Sequence, residues 1–386
     1  MTAPSIPRRN LLTAGAALGL AGSLPVWTAR AASTRPATLI LLELAGGNDA
    51  LNTLVPYSDP LYRRLRPRLA WPDGRLMALN DDVALPDAVR ELAPLWERGD
   101  LALLPAVGTP EHDRSHFRAA DIWEAGRADA AGERGWLEPL LRTRRDHDVP
   151  GIVLGGRSGP LAGCGALHID DPESFLAEAV RLSRVQVRAD SAALRHVVAV
   201  HNTTGDQVRS LADKLSRARP LPGRPPRHAF ARQLFNAGRL LAAGVDVPVM
   251  KLVLPGFDTH ANQRGRHERL LRTLARGLAR FATALDERGL WQDVAIVCWS
   301  EFGRRVRENA SGGSDHGGGG LVLLLGGRVR GGLYGEMPSL EQLDQGDLPV
   351  RTDYRRVYAS LADALFPGAA NPFAEQGHRP LAHLLG

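Results

Sequence analysis

Four short runs in this chain carry side chains able to hold a cation or to attack an ester. They are Asn48-Asp49, Phe257-Asp258-Thr259-His260, Ser300-Glu301-Phe302-Gly303-Arg304 and, in a glycine-rich segment, Ser314-Asp315-His316. Carboxylates and imidazoles gathered from separate strand ends are the usual makings of a divalent-metal site. Oxygen and nitrogen donors without thiolate suit zinc, manganese, magnesium or calcium, and a carboxylate-rich set leans towards the last three. Each run alone also has a plainer reading. Asp258 and Asp315 are turn formers, Glu301 has the type of a capping residue, and Arg304 is a natural partner for it. Four such runs in comparable context favour a shared site.

The elements around these runs are legible from apolar patterning. Continuous apolar stretches predict buried strands over 37–44, 100–107, 151–154, 247–254, 294–299 and 321–325. Helices are expected over 87–98, 228–243, 267–288 and 353–365. The third of these is the clearest, because Leu271, Leu274, Leu278, Phe281 and Leu285 recur at spacings of three and four, with Gly289 as its stop. Strands alternating with amphipathic helices predict an α/β fold with a mostly parallel sheet and helices on both faces. Sites in such sheets form at the C-terminal strand ends, where three of the four runs fall. Gly155-Gly156-Arg157-Ser158-Gly159 follows a strand, but Pro160 and the lack of an amphipathic helix after it argue against a nucleotide-binding turn.

The 386 residues are too many for one small core, and 44% hydrophobic with 23% charged residues excludes wholesale disorder. Two cysteines, Cys164 and Cys298, exclude a disulfide-stapled mini-fold and a cysteine zinc finger, and Cys298, inside an expected strand, is expected to be free. Charges interrupt every apolar stretch after the N-terminus, so a polytopic membrane protein is excluded. The net charge is +6, and nearly every basic residue is arginine, with lysine only at Lys214 and Lys251. These arginines are scattered beside acids with no nucleic-acid motif, so no nucleic-acid partner is expected. Arg8-Arg9 followed by leucines, a moderately apolar stretch 14–26, and Ala29-Arg30-Ala31 read as a twin-arginine signal peptide over 1–31. The expected organisation is that signal plus one large domain over 32–386, with a surface linker or insertion at 180–226. The mature protein is expected in the periplasm or secreted, after contact with the twin-arginine export machinery and without a membrane span once cleaved.

The chain resembles the exported bacterial domain-of-unknown-function 1501 family. The residues that carry the resemblance are GGNDALNTLVPYSDP (46–60), RSHFRAADIWEAG (114–126), FDTHANQ (257–263), GLWQDVAIVCWSEFGRR (289–305), GGSDHGGGG (312–320) and RGGLYGEMPSL (330–340). That family is grouped with the alkaline phosphatase and sulfatase superfamily. The resemblance therefore implies an alkaline phosphatase/sulfatase-like α/β core that hydrolyses phosphate or sulfate esters through a covalent intermediate. On its pattern Asp49 is the nearest match to the metal-binding aspartate after the first strand. Ser115 looks similar to the nucleophile that opens a helix, with His116 assisting, though Thr53 and Asn52 also lie near Asp49. A hydroxyl at a helix N-terminus faces N–H groups that hold an anion, and a metal would make it a stronger nucleophile. Asp258 and His260 resemble the metal pair before the long helix, and Glu301, Asp315 and His316 fall at the remaining ligand positions. The superfamily has Asp-His-Gly where this chain has Glu301-Phe302-Gly303. Phe302 thus replaces a histidine, which implies one ion, or two with a carboxylate-rich second position. Arg304 or Arg114 would clamp the oxygens of the transferring group.

The expected function is therefore an exported metal-dependent hydrolase acting on a small-molecule or polymer phosphate or sulfate ester through a covalent serine intermediate. The competing reading, favoured by Phe302, is a non-catalytic exported binding or assembly protein that keeps the fold.

Overall fold

A computed structural model describes residues 36–386 except 111–112, 130–133, 145, 173, 176–184, 186–190 and 220–223. The expected signal at 1–31 lies outside the described residues, as does part of the expected linker.

The principal strands are β1 (Thr38–Ala45), β2 (Leu101–Gly108), β3 (Ile152–Val153), β4 (Leu167–His168), β5 (Val249–Pro255), β6 (Val294–Trp299) and β7 (Gly320–Leu325). They form one mixed sheet in the order β2-β7-β6-β1-β5-β3-β4, with the short strands Gly332–Leu333 and Thr352–Asp353 both paired to β2. Strand β1 is central and parallel to both neighbours, with Leu39 opposite Val249 on one side and Ala295 on the other. Strand β7 runs antiparallel to both β6 and β2. The reason is its connection: the chain returns from Trp299 to Gly320 through the hairpin Gly303–Arg304/His316–Gly317, with no crossover helix to reverse it.

Alternation along β1 divides the core. Ile40, Leu42 and Leu44 face one apolar layer, and Leu39 and Leu41 face the other. The main helices are α1 (His116–Ala125), α2 (Ala192–Arg217), α3 (Ala229–Ala242), α4 (Gln263–Asp286) and α5 (Tyr354–Leu365). The first layer is closed by Val208 and Leu211 of α2, Phe230 and Leu234 of α3, and Leu271, Leu274 and Leu278 of α4. The second is closed by Ile122 and Trp123 of α1 and Val357, Tyr358 and Leu361 of α5. Helices therefore cover both faces, and each fully buried leucine stabilises this packing by about 2 kcal/mol relative to exposure.

Two stretches depart from the sequence expectation. The helix expected over 87–98 is a 3-10 turn, Asp87–Leu92, followed by a short α-helix, Ala93–Glu97, because the backbone leaves helical angles at Val89 (φ −114°, ψ 19°). The expected linker or insertion at 180–226 contains the 26-residue helix α2, capped by Ser191, whose side chain accepts from the Leu194 amide. Only its C-terminal half buries apolar residues. Cys164 and Cys298 are both free thiols. Among the described residues no helix is long and apolar enough to cross a membrane.

Candidate metal centre

Strands β6, β1 and β5 lie side by side and parallel, so their C-terminal ends share one edge of the sheet. The ends are stitched together. Gly46, after β1, has φ +118°, and a Cβ there would lie 2.3 Å from the Asp258 amide nitrogen, so the close approach requires glycine. Its N–H donates to Glu301 Oε1 at 2.9 Å. The buried Arg304 guanidinium donates to the carbonyls of Gly47 and Ser314 (both 2.7 Å), of Phe257 (3.0 Å) and of Gly46, and to Asp258 Oδ1 at 2.7 Å. A planar five-donor head suits this bridging. Arg304, expected to clamp substrate oxygens, is instead engaged inward, where it fixes Asp258.

Around Asp258 stand three imidazoles, each held from behind. His116 Nδ1 lies 2.7 Å from Glu301 Oε1, and its Nε2 lies 3.5 Å from Asp258 Oδ2. His260 Nδ1 lies 3.0 Å from Asp315 Oδ1, and its Nε2 lies 2.9 Å from Asp258 Oδ1. His316 Nδ1 donates to the Arg114 carbonyl at 2.8 Å, and its Nε2 lies 3.2 Å from Asp258 Oδ1 and 2.9 Å from His260 Nε2. Partial burial pushes the Asp258 carboxyl up, but Arg304 and His316 outweigh it and hold the carboxyl at about 2. The Asp258 carboxylate is thus ionised at any working pH. Glu301 raises the pKa of His116, while burial lowers that of His316. Burial pushes Glu301 up, but its bond to His116 and the amide bond from Gly46 bring it below the usual range.

These contacts constrain the tautomers. A carbonyl oxygen only accepts, so His316 carries a hydrogen on Nδ1, and Glu301 at 2.7 Å favours the same for His116, whereas His260 has a carboxylate oxygen at both ring nitrogens, 3.0 Å from Nδ1 and 2.9 Å from Nε2. All three rings thus turn Nε2 towards the Asp258 oxygens. The His116 Nε2 atom is buried and has no hydrogen-bond partner. His260 Nε2 and His316 Nε2, 2.9 Å apart, can share a hydrogen or turn together to a cation beside them. His116, Asp258 and His316 each place a donor atom within 4.8 Å of the others. Imidazole Nε2 donors whose Nδ1 hydrogens are held by carboxylate or carbonyl groups are the usual coordination arrangement, so these residues fit a divalent metal.

The sequence-predicted residues divide accordingly. Asp258, His260 and His316 come together, and His116, expected to assist a nucleophile, joins them; the set with donor atoms all within 4.8 Å of one another is His116, Asp258 and His316. Glu301 and Asp315 stand behind histidines. Asp49 lies apart. It is buried against the equally buried Arg66, whose Nη1 reaches its two oxygens at 2.9 and 2.6 Å, and Gln263 Nε2 also donates to it. Burial raises the Asp49 carboxyl, but Arg66, with His267 nearby, lowers it below the ordinary value. Thr53 and Asn52 are buried in the same network: Thr53 Oγ1 donates to the Asp49 carbonyl, and Asn52 Oδ1 accepts from Tyr62 and Arg66. Ser115 takes the N-cap position of α1 without a side-chain cap bond, and is flanked by Arg114 and His116, both of which touch the cluster. Phe302 packs on the site, its ring 4.9 Å from that of His116 and 4.5 Å from that of His316. Arg66 is the residue the sequence hides, because in Tyr62–Arg68 it reads as one of four surface arginines.

Fold and site together define an α/β protein with a His₃Asp candidate metal centre at its strand ends. Residues 166–353 match the family described as "Protein of unknown function (DUF1501)", which bears out the resemblance drawn from the motifs. No curated protein matches the chain. Solved structures similar to it include Ps i-CgsB, at 10% identity over 90% of this chain and 76% of that chain, with a TM-score of 0.43. The C-terminal periplasmic domain of EcEptC from Escherichia coli, in complex with Zn, is 9% identical over 88% and 84%, with a TM-score of 0.40. The phosphonate monoester hydrolase of Agrobacterium radiobacter is 10% identical over 86% and 74%, with a TM-score of 0.34.

Proposed function

We propose that the protein is a metal-dependent hydrolase of phosphate or sulfate esters, with the ion held by His116, Asp258, His260 and His316. The observation that carries this reading is the convergence of three imidazole Nε2 atoms, each ring held from behind at Nδ1, on one ionised carboxylate. Three imidazoles and one carboxylate suit zinc better than the carboxylate-rich set expected from sequence. A cation bound there would polarise an ester oxygen and make a nearby hydroxyl more acidic. Ser115 is the nucleophile in this reading. In support of this role, its neighbours Arg114 and His116 both touch the cluster, and its hydroxyl makes no helix-cap bond. Its Oγ bonds to phosphorus or sulfur as the ester oxygen departs with a proton, and water then cleaves the serine ester and restores the hydroxyl. Glu301, Asp315 and the Arg114 carbonyl hold the three rings, and Arg304 holds Asp258.

Metal analysis of the purified protein, with turnover of aryl phosphate, phosphodiester and aryl sulfate, tests this reading. Metal-dependent turnover of one class is expected. It should be lost in Ser115→Ala with metal retained, and lost in Asp258→Asn together with the metal. Protein that takes up no divalent metal and turns over none of these esters would refute it. Low or no metal content, with partners recovered by pull-down that survive Asp258→Ala, would favour the competing binding protein. The proposal includes export through residues 1–31, and retention of an Arg8→Lys/Arg9→Lys variant in the cytoplasm, read by cell fractionation, is the expected result.

A further inference from the structure

Beside the cluster one buried carboxylate binds one arginine and faces a second. Asp347 is 1% exposed, and the backbone bridge between Asp344 and Asp347 fixes it. Arg114 Nη2 donates to its Oδ2 at 2.7 Å, and Arg305 Nε lies 3.6 Å from its Oδ1. That Oδ1 is buried and has no hydrogen-bond partner. The two guanidinium-bearing side chains are 43% and 36% exposed. Both residues are anchored to the metal-centre segment through their backbones. The Arg114 carbonyl accepts from His316 Nδ1 at 2.8 Å, and the Arg305 amide donates to the Asp315 carbonyl at 2.9 Å. The Arg305 charge is close enough to help lower the Asp315 carboxyl, after the larger effects of His260 and Asn309.

Most N–H donors of Arg114 and Arg305 make no hydrogen bond to a described residue. The third arginine of this region, Arg304, is fully engaged inward, so it does not supply this function. A guanidinium pre-oriented by a buried carboxylate loses little freedom on meeting an oxyanion, and its fork matches phosphate, sulfate or carboxylate bidentately.

We propose that Arg114 and Arg305, held by Asp347, form an anion subsite adjoining the metal centre, so that the substrate carries a second anionic group close to the ester that reacts. This specifies the substrate of the proposed hydrolase and rests on that reading: a molecule or polymer bearing at least two oxyanions, not an isolated monoester. A lone monoanion fills the metal position only, whereas a dianion of suitable span engages both.

Binding of propylphosphonate and 1,3-propylenediphosphonate to the zinc-loaded protein, measured by calorimetry, tests the subsite. The diphosphonate is expected to bind about tenfold or more tightly than the monophosphonate, as for one or two added charge-assisted hydrogen bonds. In Arg305→Met that ratio should fall towards one, while monophosphonate binding and zinc affinity, read with a chromophoric chelator, stay as in the parent; in Arg114→Met the ratio should fall likewise. Each single variant leaves Asp347 one partner. Should a methionine variant fail to fold, Arg114→Lys or Arg305→Lys keeps the counter-charge and should lose the bidentate part of the preference. A preference for the diphosphonate that is absent in the parent, or undiminished in both variants, overturns the subsite. Failure of the metal reading shows separately as no zinc uptake. The same ratio measured on metal-free protein then decides the arginine pair by itself.

Discussion

Glu301→Gln isolates one charge in the proposed centre. Glu301 Oε1 accepts from the Gly46 amide at 2.9 Å and faces His116 Nδ1 at 2.7 Å, while Oε2 lies 3.0 Å from Ser300 Oγ. A glutamine of the same shape keeps its carbonyl oxygen at the first position. Its amide nitrogen then faces Ser300 Oγ, whose hydrogen already has a partner in the Leu44 carbonyl at 2.6 Å. The hydroxyl can therefore turn to accept, and no buried group loses its bond. What disappears is the negative charge that makes His116 a more basic donor. Loss of such an outer partner weakens metal binding by about 10–100-fold, and the isosteric replacement places this variant near tenfold, or about 1.4 kcal/mol. Competition with a chromophoric chelator at pH 7.5 measures the zinc Kd, and thermal melting of the metal-free protein checks that the fold persists. A zinc Kd within twofold of the parent, in a protein where His116→Ala abolishes binding, would show that His116 does not act through Glu301.

Three further outcomes follow from buried groups nearby. Asp49→Asn strands the buried Arg66, and breaking such a pair costs about 3–5 kcal/mol. Chemical denaturation should show that loss while zinc affinity changes little, whereas a collapse of affinity would return Asp49 to the ligand set. Burial holds His267 at about 4, against about 6.5 unfolded, so its neutral form stabilises the native state by about 3 kcal/mol above pH 6.5. As pH falls the unfolded chain takes the proton first, so this stability drains away between about pH 6.5 and 4. His267→Gln should flatten that part of a urea-denaturation pH series, and an unchanged slope would remove His267 as its source. Arg304→Lys replaces a planar fork with a point charge that cannot bridge four carbonyls and Asp258. Metal affinity and thermal stability should fall together. A change confined to substrate KM would instead restore the anion-clamp role.

The sheet was legible because a buried strand writes itself as an unbroken apolar run, and β6 matches its run, Val294–Trp299, residue for residue. The long helix α4 was legible through its leucine stripe, though it begins at Gln263, four residues before the expected helix start. What the sequence could not show is which polar residue faces which. Asp49 and Asp258 both follow a strand end, yet they receive different arginines, and the difference lies in the approach of the chain after β1. Gly46 lets that turn press against the Asp258 amide, and the same turn offers the carbonyls of Gly46 and Gly47 that hold Arg304 against Asp258. Asp49, two residues on, begins a buried turn, Ala50–Asn52, and meets Arg66 there. Arg66 in turn donates to the carbonyls of Arg305 and Val306. One buried arginine thus carries the load of the loop beneath, which frees Arg304 to hold Asp258 facing the imidazoles. The distinction depends on contacts made across more than 200 residues of chain, and no local spacing records it.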